Sequence, residues 1–265
     1  MKISVILPTY RPGEYIFECL ESLQAQTFPK CDYEVLLILN GVIEPYNSIL
    51  KNWVSNHTMN VHLFVVEEAG VSNARNIALD AASGDYITFI DDDDFVSESY
   101  LKELYDHASK DVVSVCFPLS FLDGASDYKP YGITKDYLKI EKTKESVFWK
   151  VRRFFNGPVY KLIHRDIIGA RRFNKNFKNG EDSLFMFQIS DRLKKVECTS
   201  RSAIYYRRFR CNSASQGKSF FYIFKVEMQL IKEYSILFWS NLGKYNLAFY
   251  VFFMLGAIKM CFVRK

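Results

Sequence analysis

Four consecutive aspartates, Asp91, Asp92, Asp93 and Asp94, close the apolar run at residues 86–90 in the stretch YITFIDDDDFV. Adjacent carboxylates repel one another unless positive charge sits among them, and a hard divalent cation with oxygen ligands would supply it. A run of like charge standing alone is commonly a solvated loop, and that is the competing reading. An EF-hand is excluded: counting Asp91 as position one puts Val96 where the sharp turn needs glycine and Lys102 where a bidentate glutamate belongs. A second acidic pair, Glu181 and Asp182, opens a helical pattern over residues 181–193. Acids in a first turn are favoured by the helix dipole, so by itself this pair reads as a helix-start device.

The elements that must position these acids alternate regularly. Residues 2–7 read as a strand ending at Pro8, and residues 14–26 as a helix with Ile16, Cys19, Leu20 and Leu23 on one face. Residues 33–39 form a second strand closed by Asn40 and Gly41, followed by a helix carrying Tyr46, Ile49, Leu50, Trp53 and Val54. Then come a strand at 61–66, a helix at 71–82 with Ser72 as its expected cap, and the strand at 86–90 that the aspartates end. A helix at 97–109 and a strand at 112–117 complete the series. Such alternation predicts an α/β fold with a parallel sheet and right-handed crossovers. In open sheets of this kind ligands bind beyond the carboxyl ends of the strands, where Asp91 to Asp94 fall. Residues 124–145 show mixed polarity without a clear period and read as a variable connection, and residues 156–163 as an extended segment.

The 265 residues, 49% of them hydrophobic, are enough for one large α/β domain or two small ones. The six cysteines are scattered without a CxxC pair, and KISVIL near the start is strand-like rather than signal-like, so a reducing cytoplasm is expected. The net charge of +5 hides an asymmetry: residues 1–140 hold 10 Lys and Arg against 21 Asp and Glu, residues 141–265 hold 25 against 9. The acidic half suits a metal ion and the basic half suits phosphates or anionic lipid. Nucleic acid is not expected, because no recognised nucleic-acid-binding pattern accompanies the basic charge. Residues 220–237 form an amphipathic helix, with Phe220, Phe224, Ile231 and Tyr234 opposed by Lys225, Lys232 and Glu233. The apolar run at 247–258 is too short to span a bilayer, which needs about 20 residues. An interfacial helix is expected there, with Lys244, Lys259, Arg264 and Lys265 meeting anionic headgroups; a core or dimer helix is the alternative.

Three segments, SVILPTYRPGEYIFECLESL, EEAGVSNARNIALDAASGDYITFIDDDDFV and NGEDSLFMFQI, resemble in order the signature regions of the family 2 glycosyltransferases with the GT-A fold. The resemblance covers roughly residues 1–210, and the central block is its most specific part. It implies a Rossmann-like, mostly parallel sheet as a domain at 1–215; beyond it, the pattern of residues 216–265 is expected to form a C-terminal amphipathic extension, peripheral on the cytoplasmic face of a membrane. It also implies inverting transfer of a sugar from a nucleotide diphosphate donor, such as a UDP-sugar, to a saccharide or lipid-linked saccharide acceptor. Pro8, Thr9 and Tyr10 match the loop that holds the base, and Arg75 the arginine that reaches the nucleotide. Asp91 and Asp92 would bind the nucleotide, and Asp93 would ligate Mg²⁺ or Mn²⁺. Asp182 matches the general base, with Glu181 tuning it, while Asp94 has no implied role.

Where the family usually has two acids at the end of the second strand, this chain has Leu39 and Asn40. The Asn40 side-chain carbonyl could still accept from a base N–H, so uracil recognition stays open. YYRRFR at 205–210 resembles the family's closing strand and offers three arginines to a diphosphate. The QxxRW-type motif of processive members is absent, so transfer of one sugar is expected. A non-catalytic nucleotide-sugar-binding module on the same fold is the alternative. A nucleotidyltransferase is disfavoured, because PTYRPGEY holds one glycine where a phosphate loop needs several.

Overall fold

The computed structural model describes residues 1–143, 152–210 and 219–262. Strands β1 (Ile3–Thr9), β2 (Tyr33–Asn40) and β3 (Val61–Val66) alternate with helices α1 (Tyr15–Gln24) and α2 (Tyr46–Ser55); α3 (Val71–Ala81) then leads to β4 (Tyr86–Phe89). β1 and β2 are buried at every position, which is why they read as unbroken apolar runs, whereas β3 lies at an edge and is only half-covered. All three pairings among these strands are parallel. The order β3-β2-β1-β4 shows the chain winding outward from β1 and then returning to its other side. The switch in direction opens a crevice between the ends of β1 and β4. Entry to β4 depends on Gly84, where a Cβ would lie 2.6 Å from the Ser4 backbone nitrogen.

Beyond β4 the sheet departs from the expected parallel continuation. β5 (Phe95–Val96), α4 (Tyr100–Asp106), β6 (Val112–Val115) and β7 (Phe117–Leu122) follow, so the single strand expected at 112–117 breaks at Cys116. β8 (Lys161–His164) inserts between β4 and β6, antiparallel to both, and β9 (Lys195–Cys198) runs parallel to β6 on its outer side. β10 (Ile204–Phe209) joins β5 and β7 in a separate three-stranded sheet. α3 starts from Gly70 with no side-chain cap; Ser72, expected to cap it, sits inside the first turn with its hydroxyl buried and without a hydrogen-bond partner among the described residues. The region expected to be an aperiodic connection holds α5 (Gly132–Thr143), anchored by buried Tyr137, whose hydroxyl donates to the Thr199 carbonyl at 2.5 Å. A 3-10 turn at Arg152–Asn156 precedes β8, and α6 (Arg165–Ile168) follows it.

α7 (Glu181–Ile189), α8 (Phe220–Ser240) and α9 (Leu247–Phe262) complete the helices of the described residues. The last two share the main core: Leu230, Tyr234 and Phe238 of α8 and Phe249 and Phe253 of α9 are buried with Phe187 of α7. Of the apolar face expected on α8, Tyr234 is buried, whereas Phe220 and Phe224 are exposed. The boundary expected between residues 215 and 216 falls outside the described residues, as do Cys211, Arg264 and Lys265. The other five cysteines are free thiols. Among the described residues no helix is long and apolar enough to cross a membrane.

Candidate active site

The β1–β4 crevice is closed by a direct contact between the two strand ends. Thr9, the last residue of β1, donates its hydroxyl to Asp92 Oδ2 at 2.5 Å. Thr9 therefore fixes an acid rather than facing a base, and Pro8 is buried within the strand. Tyr10 alone of the three expected base-holding residues presents its ring outward, about half exposed, with Gly41 beneath it. Asn40 is spent on the backbone: its amide nitrogen donates to the Thr9 carbonyl at 2.7 Å and its oxygen accepts the Gly70 N–H at 2.9 Å. The carbonyl expected to meet a base N–H thus ties the end of β2 to the start of α3.

Arg75 joins the two acidic regions that lie far apart in sequence. Its guanidinium is buried, donating through Nη2 to Asp91 Oδ1 at 3.0 Å and through Nη1 to Asp182 Oδ1 at 2.5 Å. A planar fork with donors pointing two ways suits this bridge better than an ammonium would. α3 delivers Arg75, and the next residue, Asn76, exchanges hydrogen bonds with both backbone groups of Phe173, holding that ring against the guanidinium. α7 delivers Asp182. Its helix starts from Gly180 at φ 81°, where a Cβ would meet Leu230 of α8 at 2.5 Å, so the C-terminal helices pack on the origin of the acid-bearing helix. Ser183 and Tyr234 reinforce that contact through their hydroxyls at 2.6 Å. Glu181 is buried beside Asp182 and its charge acts on Arg75.

The aspartate run divides by role. Burial, with Asp93 and Asp91 as neighbours, pushes Asp92 up to about 7 against the pull of Thr9 and Arg210. Asp93 is raised by burial and by Asp91, while Arg210 Nη2, 2.7 Å from its Oδ2, opposes the shift. Burial raises Asp182, Arg75 lowers it, Asp91 raises it and Lys161 lowers it. Burial, aided by the neighbouring carboxylates, outweighs the opposing arginines and accounts for these upward shifts. Asp94, to which the sequence assigned no role, is buried and accepts the Arg208 backbone N–H at 2.7 Å. Arg208 in turn donates to the Asp93 carbonyl at 2.8 Å, to Asp123 at 2.7 Å and to Glu18. Of the arginines in YYRRFR, Arg208 is therefore a structural anchor, Arg210 pairs directly with Asp93, and Arg207 feels the charges of Asp94 and Asp91. Tyr205 contributes its hydroxyl as acceptor for the Asp91 N–H at 3.2 Å.

Sequence reasoning did not single out Arg210 from its neighbours, because alternation along β10 does not show which residue meets the acids. It missed Lys161 altogether, although a lysine inside the apolar run VYKLI was a signal. No group of three or more potential metal-ligating side chains occurs among the described residues. A donor set of one or two carboxylates is still what Mg²⁺ uses when substrate phosphates complete its shell.

The mostly parallel sheet with its switch point between β1 and β4, flanked by helices, matches the GT-A fold of nucleotide-sugar transferases. The chain belongs to glycosyl transferase family 2, whose profile matches residues 4–171. It is 26% identical over 211 residues to the poly(ribitol-phosphate) beta-N-acetylglucosaminyltransferase TarS of Staphylococcus aureus, an alignment covering 78% of this chain and 35% of that protein. It is 25% identical over 223 residues to the GalNAc(5)-diNAcBac-PP-undecaprenol beta-1,3-glucosyltransferase of Campylobacter jejuni, covering 82% and 68% respectively. The crystal structure of S. aureus TarS 1-349 in complex with UDP-GlcNAc aligns with a TM-score of 0.74 at 23% identity, over 99% of this chain and 73% of that one. This chain spans about a third of the full length of TarS.

Proposed function

We propose that this chain is an inverting glycosyltransferase that moves one sugar from a UDP-sugar to an acceptor hydroxyl. The observation that carries the reading is the Arg75 bridge, which brings Asp182 and Asp91 to one guanidinium at the mouth of the β1–β4 crevice. In this reading Asp182 takes the proton of the acceptor hydroxyl as that oxygen attacks the face of the sugar opposite the leaving nucleotide. One positioned carboxylate suffices, and no covalent intermediate is needed. Tyr10 offers an aromatic face to the base, while Asp91 and Asp92 meet the nucleoside. The raised carboxyls of Asp92 and Asp93 favour a cation among them, and Asp93 would hold Mg²⁺ or Mn²⁺ together with the donor's phosphates. Such an ion supplies neutralisation of charge on the departing diphosphate. Arg210, released from Asp93, is placed to add a second positive group. Glu181 tunes the site through Arg75.

The test is a thermal-shift screen of nucleotide sugars with and without Mn²⁺, on the wild-type chain and Asp93→Asn. At a ligand concentration about a hundred times Kd, binding adds roughly 2.7 kcal/mol to stability. UDP-sugars are expected to raise the midpoint only with metal present, and Asp93→Asn is expected to abolish the metal-dependent part. Equal shifts with and without Mn²⁺ would remove the metal from the reading; no shift with any nucleotide sugar would remove the donor.

The acceptor we infer is a lipid-linked saccharide or surface polysaccharide at the cytoplasmic face of a membrane. The names of the relatives, which act on poly(ribitol-phosphate) and on an undecaprenol-linked saccharide, support this, as does the outer face of α9. Leu247, Val251, Leu255, Ile258 and Phe262 are exposed there, Lys259 lies among them, and the helix carries no acid. A basic, acid-free apolar stripe fits an anionic bilayer surface. Deleting the tail would be a poor test. Six of its large side chains lie in the main core, and burying each contributes about 1.5–3 kcal/mol. That sum rivals the roughly 5–15 kcal/mol by which a folded protein is stable. The double variant Val251→Glu/Leu255→Glu alters only the exposed face, so its thermal midpoint should stay close to wild type. Its cosedimentation with anionic vesicles should be lost, and undiminished binding would remove the membrane from the reading.

A further inference from the structure

Lys161 opens β8 and is fully buried. A charged side chain inside a sheet is costly unless it is satisfied, and here backbone oxygens do so. Its Nζ donates to the Gly157 carbonyl at 2.6 Å and to the Val159 carbonyl at 2.7 Å, with the Phe155 ring centred 5.7 Å away. Both carbonyls belong to a tight loop ending at Tyr160, whose φ of 71° is left-handed, a conformation a tyrosine takes only where its surroundings impose it. On one side Val159 forms a parallel bridge with Phe89 at the end of β4, and the Tyr160 carbonyl accepts the Cys116 N–H at 3.0 Å. On the other side the loop faces the candidate base: a Cβ on Gly157 would come 3.8 Å from Asp182 Oδ2.

We propose that Lys161 is a positioning residue for Asp182, gathering the 157–160 loop onto one ammonium so that Gly157 walls the carboxylate, and setting a second cation within reach of its charge. This rests on the reading of Asp182 as the base. The groups facing Asp182 are Arg75 from α3, Asp91 from the end of β4 and Lys161 from β8. Those facing Lys161 are Asp182 from α7 and the Cys116 thiol from the β6–β7 junction. Burial raises the thiol, so Cys116 stays neutral and Asp182 is the anion that Lys161 meets. Burial also lowers the ammonium to about 7, which leaves it partly charged at neutral pH, with Asp182 resisting the shift. Arg75 grips Asp182 through one oxygen, Oδ1, while Gly157 lies against the other, Oδ2, with no side chain of its own.

The inference is tested with the full chain labelled with [¹³C]aspartate, the Asp182 carboxyl being assigned by its loss in Asp182→Asn. In Lys161→Met the Asp182 carboxyl should bind its proton about tenfold more tightly, titrating roughly one pH unit higher than in wild type. Lys161→Gln, which keeps a donor for one carbonyl but no charge, should show the same shift, and it carries the titration if the methionine variant does not fold. An unchanged Asp182 titration in a folded variant overturns the inference. Failure of both variants to fold would assign Lys161 to stability alone and overturns it equally. UDP release from UDP-GlcNAc by Asp182→Asn is a separate arm: wild-type turnover there would sink the base reading. Loss of turnover with an unshifted carboxyl would sink only the role of Lys161.

Discussion

Asparagine in place of Asp182 is expected to slow sugar transfer by roughly 10²–10⁴-fold, the range that a positioned general base contributes. The substitution keeps the shape of the side chain and an oxygen that can still accept from Arg75 Nη1, so the bridge between α3 and α7 should survive. Donor affinity should change little, because Asp182 is not among the groups assigned to the nucleotide. The competing view of Glu181 and Asp182 as a helix-start device predicts something different. It allows a stability loss of about 0.3–1 kcal/mol from the dipole interaction and no effect on turnover. Steady-state rates with a UDP-sugar, set beside a denaturation midpoint, separate the two. Wild-type turnover in Asp182→Asn would rule out the base. The wild-type pH profile carries the same information: burial raises the Asp182 carboxyl, so transfer should fail as pH drops through a value above the ordinary aspartate range. A base is active only when it has lost its proton, which fixes the sign.

How much of this site could be read from the chain depends on whether the cause was local. The strand Tyr86–Phe89 and the acids after it were readable, because a buried parallel strand imposes a continuous apolar run and its end is where polar groups reappear. The winding of β1, β2 and β3 followed from the same periodicity. β8 was not readable as an inserted antiparallel strand, since four residues carry too little pattern to fix direction or neighbour. α5 was hidden by its charged residues, although Ile133, Tyr137 and Ile140 recur at helical spacing. Asn40 looked like an available acceptor because its type was known and its partners were not. Only the approach of Thr9 and Gly70 shows that both ends of the amide are occupied. Asp94 had no assignable role for the same reason: its partner is a backbone N–H more than a hundred residues away. The tail's amphipathic character was evident, but its docking beside α7 was not, because nothing local shows that the missing side chain of Gly180 admits Leu230.

Arg75 is where removal of a single side chain should damage both fold and chemistry. Arg75→Met keeps the apolar stem that lies against Phe173 but leaves Asp91 and Asp182 facing each other without their shared cation. Breaking a buried ion pair from one side costs roughly 3–5 kcal/mol. The Asp91 side chain is 43% exposed and can recover hydration, so the low end, about 3 kcal/mol, is expected from a denaturant midpoint. Arg75→Lys should restore only part of this, because an ammonium is a point charge and cannot span two carboxylates as the fork does. The effect on transfer has a sign that a purely structural loss would lack. Without Arg75 the chief group lowering Asp182 is gone, and the carboxyl should move further upward than burial already takes it. Activity of the methionine variant should therefore be lost most completely at low pH and recover in part as pH rises, whereas a merely misfolded fraction would lower activity by the same factor at every pH. A pH-independent loss would show that Arg75 holds α3 and α7 together without governing the proton on Asp182; the predicted recovery would show that the bridge sets the protonation of the base as well as its place.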